Sequence, residues 1–118
     1  MDVIINLWHE QLHDIIISTK SGRKLRLHID QDASGYRLNG EFFESTEKVW
    51  YLVEFSPQWV SDPEVLLKTC LDDLNQAMVN KSDSITDVHN THNAPIVSVE
   101  KQKAMLAVLG INAQVRVN

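Results

Sequence analysis

The sequence predicts an α+β fold: an antiparallel β-sheet of four to five strands with two helices packed on one face. Three observations carry this reading. Apolar residues alternate through much of residues 14–55, the period lengthens to that of a helix after Ser61, and a second helical stretch precedes a short β-branched segment at the C-terminus. With 118 residues, 43% of them hydrophobic, the chain can bury one core, and a single domain spanning 1–118 is expected.

The first residues are ambiguous, because Ile5, Trp8, Leu12, Ile15 and Ile16 recur at helical spacing while Asp14–Thr19 is rich in β-branched types. A short helix or irregular lead-in followed by a strand accommodates both signals. Residues 20–23 supply turn chemistry, and 24–30 then alternate strictly, with Leu25, Leu27 and Ile29 on one face. A second turn cluster at 31–35 leads into Tyr36, Arg37 and Leu38. Asn39-Gly40 is the dipeptide that most readily accepts a two-residue hairpin turn, so a return strand is expected at Glu41, Phe42 and Phe43. Residues 48–55, rich in aromatic and β-branched types, are expected as a central strand.

Ser61-Asp62-Pro63-Glu64 then combines an N-cap serine, an early proline and the glutamate of a capping box. Leu67, Cys70, Leu71, Leu74, Ala77 and Met78 follow on one helical stripe. Residues 80–97 are polar, contain Pro95 and are expected as a loop. A second helix runs from Val99 to Leu109, stopped by Gly110, and Gln114–Val117 closes the sheet.

The net charge of −5 is unevenly distributed, since residues 20–37 hold Lys20, Arg23, Lys24, Arg26 and Arg37 against Asp30 and Asp32, a local +3 that leaves −8 elsewhere. Such a basic hairpin can meet an acidic partner or phosphates, although the overall charge argues against nucleic acid. The same residues on an exposed edge strand would instead protect the sheet from edge-to-edge pairing. Of the three tryptophans, Trp59 lies on a connection, where it can anchor a partner. The single cysteine, Cys70, falls on an apolar stripe and reads as core filler, which fits a reducing, cytoplasmic setting. No segment approaches the roughly 20 apolar residues of a membrane span.

One string names a chemistry. His9-Glu10-Gln11-Leu12-His13 spells H-E-x-x-H and resembles the zinc-binding helix of zincin metallopeptidases; the resemblance implies His9 and His13 as ligands and Glu10 as general base. It covers five residues, and Gln11 stands where those helices carry an apolar residue. In a strand, moreover, the two imidazoles would be about 13 Å apart and unable to share an ion. A second cluster, His89 and His92 near Asp83 and Asp87, has ligand types but no matching second pair. No phosphate-binding glycine loop, C-x-x-C pair or nucleophile elbow occurs. The expectation is therefore a small acidic protein-binding or regulatory module without metal or cofactor. It would contact an unidentified protein partner through Lys20, Arg23, Lys24, Arg26, Arg37 and Trp59, and would self-associate as a homodimer. A zinc hydrolase and a nucleic-acid binder are the alternatives.

Overall fold

The computed structural model describes residues 14–44, 49–54 and 59–117. In chain order the elements are β1 (Asp14–Thr19), β2 (Lys24–Asp32), β3 (Gly35–Glu44), β4 (Val49–Glu54), α1 (Pro63–Asn80), β5 (Ile85–Asn90), α2 (Val99–Leu109) and β6 (Gln114–Val117). The strands form one sheet in the order β4-β3-β2-β1-β5-β6. Every pairing is antiparallel except β5 with β6, which run parallel on either side of α2. The α+β class holds, with a mixed sheet one strand larger than expected.

The added strand is β5, which lies inside the segment expected as a loop. Its apolar positions do not alternate, because the pairing with β1 slips between Ser18 and Thr19. The slip places Ile85 opposite Thr19 and Val88 opposite Ile17, so two buried residues stand three apart instead of two. A bulge thus erased the period-two signature.

Asn39-Gly40 is not a turn. Both residues sit within β3, opposite His28 and Leu27; the hairpin turns at Ala33 and Ser34, inside the turn cluster expected at 31–35, and does not turn again at Asn39. Nine consecutive pairs between β2 and β3 outweigh the local preference of one dipeptide. The true turn has its own chemistry: Asp32 Oδ1 accepts the Ser34 amide at 2.6 Å, and Gly35 adopts φ +122°. A β-carbon at Gly35 would also strike the Val60 carbonyl oxygen, which is drawn close by the two hydrogen bonds of the Tyr36–Val60 bridge.

Strand order corrects two further expectations. Among the described strands β4, read as central, stands at the end of the sheet, whereas the basic strand β2 is flanked by β1 and β3 and is not an edge. Registers of Ile15 with Leu27, Ile17 with Leu25 and Ile29 with Leu38 put these side chains on one face. They form a single cluster with Leu66, Leu67, Cys70 and Leu71 of α1 and Met105 and Leu106 of α2. His28 is also buried, although alternation turns it to the opposite face.

Helix ends follow from local chemistry. Asp62 rather than Ser61 caps α1, accepting the Glu64 amide at 2.9 Å with Pro63 in the first turn. Ser98 caps α2, and Gly110 closes it in the left-handed conformation. α1 ends in the same type of motif, with Ser82 at φ +56° in the place glycine favours and the Asp83 amide bonded to the Met78 carbonyl. Behind α2, the fully buried Gln102 exchanges two hydrogen bonds with Asn90 of β5, at 2.7 and 3.0 Å. Its amide also reaches the Val97 carbonyl, while Asn90 reaches that of Arg116, so a neutral polar pair ties β5, α2 and β6 together.

Candidate partner-binding site

The basic run at 20–37 does not form one patch. Lys24 pairs with Phe43 near one end of the β2–β3 ladder and Arg37 with Asp30 near the other, a separation on the order of 20 Å along the strands. At the first end, Lys20 and Lys24 are exposed, but Arg23 is committed elsewhere. Its Nη1 donates to Asp83 Oδ2 at 2.8 Å and to Ser21 Oγ at 3.0 Å. Arg26 is half-buried and engaged.

Asp83 organises this end. Its carboxylate accepts the Ser21 and Ser84 amides at 3.0 and 2.9 Å through Oδ1, and the Ser21 hydroxyl at 2.6 Å through Oδ2. Its side chain is only 1% exposed. Burial by itself would push the carboxyl pKa up, but the hydrogen bonds from Ser21, Thr19 and Arg23 outweigh it and hold the group well below the usual carboxylate range. The charge is therefore a structural latch between the β1–β2 turn and the start of β5.

At the second end the structure joins two residues that the sequence offered separately. The Arg37 guanidinium lies over the Trp59 ring, 4.8 Å from its centroid. Asp30 steadies it: Oδ2 is 3.7 Å from Arg37 Nη2 and accepts the Asn39 side-chain amide at 2.8 Å. Trp59 is half-buried and is held next to β3 because its neighbour Val60 pairs with Tyr36 through bonds of 2.7 and 2.8 Å. The result is an indole and a guanidinium, both part-exposed, fixed on a hydrogen-bonded frame.

His9, Glu10 and His13 lie outside the described residues. In the other histidine cluster, Asp83 is turned into the latch and Asp87 accepts Arg116 Nε at 3.0 and 3.1 Å. No three His, Cys, Asp or Glu side chains converge on a common point among the described residues. Burial, helped by Asp73, pushes the Cys70 thiol up and keeps it protonated.

Asp83, Asn90 and Gln102 were not anticipated as organising residues. Gln102 carried a signal, since it shares a helical stripe with Met105, Leu106 and Leu109 and so marks a buried polar position. Asp83 carried none, because its hydrogen-bond partner Ser21 is 62 residues away. The chain matches no known protein family, no curated protein and no solved structure.

Proposed function

We propose that the chain is a small acidic, non-catalytic protein-binding module whose contact surface centres on Trp59 and Arg37. The stacked pair carries the reading. Tryptophan and arginine are the types that dominate binding energies at interfaces, and here both are positioned before any partner arrives. A partner side chain covering the indole would exclude water from the guanidinium. A partner carboxylate would then compete with Asp30 for Arg37, a contact strengthened by the same desolvation. Lys20 and Lys24, exposed at the far end of the hairpin, would contribute long-range steering toward an acidic protein.

Affinity capture from the native host, with the wild type and Trp59→Ala run in parallel, tests this. The expected outcome is a protein bound by the wild type and weakened at least about tenfold by Trp59→Ala, with an unchanged circular dichroism spectrum. Equal binding by both would move the contact surface elsewhere. Elemental analysis of the same preparation is expected to show no stoichiometric zinc; about one zinc per chain would replace this reading by a zinc hydrolase with His9 and His13 as ligands and Glu10 as general base.

A further inference from the structure

Among the described strands β6 stands at one end of the sheet, with β5 on its inner flank and no strand on its outer one. The Asn90 side-chain amide donates to the Arg116 carbonyl at 3.2 Å, so the peptide groups of Arg116 point toward β5. Alternation along the strand turns the N–H and C=O of Val115 and Val117 the other way, past the edge. Side chains alternate too. Ala113 and Val115 pack against the core, which puts Val117 on the same face, where it is 39% exposed. An open hollow lies on that face beside Ala113, lined by Leu106, Ala107, Gly110 and Ile111. Arg116 points to the opposite face and pairs with Asp87.

We infer that β6 pairs antiparallel with β6 of a second copy of the chain, about a two-fold axis that passes through Val115 perpendicular to the sheet. In this register Val115 faces its own symmetry mate and exchanges both backbone hydrogen bonds with it, and Val117 faces Ala113 of the other copy. The exposed valine then fills the hollow beside the small alanine, twice by symmetry. That self-match selects a second copy over an unrelated strand. On the opposite face Arg116 comes to lie across from Gln114, whose other neighbour in the ladder is Asp87. Centring the axis on Arg116 instead keeps the outward groups paired, but sets like charge against like charge and moves Val117 from Ala113 to Val115. A strand this short implies a weak dimer, with a dissociation constant on the order of tens to hundreds of micromolar. Trp59 sits beside β3, with β2, β1 and β5 between it and β6, so dimerisation is independent of partner binding.

Sedimentation equilibrium of the full chain from micromolar to millimolar concentration provides the first test. The wild type and Trp59→Ala are expected to show the same monomer–dimer equilibrium. Val117→Pro should weaken it at least about tenfold, because it removes an outward N–H and the side chain that fills the hollow while leaving the bonds to β5 in place. Disulfide trapping tests the register. Two Val115→Cys chains would bring their α-carbons to about 5.5 Å and are expected to cross-link on oxidation, whereas two Arg116→Cys chains would stand roughly 8 Å apart and should not. Circular dichroism checks that each variant is folded. A wild type that stays monomeric at about 1 mM, a Val117→Pro variant that dimerises as the wild type does, or cross-linking through Arg116→Cys in place of Val115→Cys would each overturn this pairing.

Discussion

Arg23 and Arg37 come from one basic stretch of sequence and enter opposite environments. Arg23 donates to a carboxylate whose side chain is 1% exposed, and with Ser21 it locks the β1–β2 turn onto the start of β5. Arg37 rests on a half-buried indole and keeps only a long contact to Asp30, at 3.7 Å. The first arginine is used up by the fold, while the second keeps its capacity for a new partner. A run of like charges in a sequence therefore does not specify a surface; what each side chain meets across the sheet decides its role.

Replacing the latch carboxylate should have the largest effect on this contrast. Asp83→Asn turns one of the two acceptor oxygens into an NH2 group, which faces either the Ser21 and Ser84 amides or the Ser21 hydroxyl and Arg23, and removes the charge; it is expected to cost roughly 3 kcal/mol of folding stability, measured by urea denaturation. The same group sets an acid dependence. Its folded-state pKa is depressed below the unfolded value of about 3.9, so its contribution is complete above that value and is lost as pH falls from there toward the folded pKa. Stability of the wild type should thus fall more steeply with acidification below about pH 4 than that of Asp83→Asn, and parallel curves would deny the latch its charge.

Smaller changes sharpen the comparison. Ser82, the residue before the latch, holds φ +56°, which glycine adopts without steric cost. Ser82→Gly is expected to stabilise the fold by up to about 1 kcal/mol, read from the shift in the urea midpoint. Smaller still, Arg37→Ala should change stability by less than about 1 kcal/mol, because its ion pair is long and part-exposed.

The sequence made some elements legible and hid others for definite reasons. The strict alternation of Leu25, Leu27 and Ile29 and the stripe from Leu67 to Met78 identified β2 and α1, since in each the buried face matches the period of one element. Gly110 marked the end of α2 through chemistry confined to a single turn. Asn39-Gly40 misled because a local turn preference lost to a long ladder, and β5 was invisible because its bulge broke the alternation. Arg37 and Trp59 were both recognisable as binding types, yet their pairing depends on Val60 reaching Tyr36, a contact across the fold. Arg23, from the same basic stretch as Arg37, was indistinguishable from it until the position of Asp83 was known.

The contrast between the two arginines is tested most directly by measuring stability and partner affinity together for Arg23→Ala and Arg37→Ala. Arg23→Ala is expected to lose about 1–2 kcal/mol of stability while its folded fraction binds the captured partner as the wild type does. Arg37→Ala is expected to keep its stability within about 1 kcal/mol and to bind at least about tenfold more weakly. Equal loss of affinity in both variants, or a loss of stability confined to Arg37→Ala, would contradict the division between a latch and a binding surface.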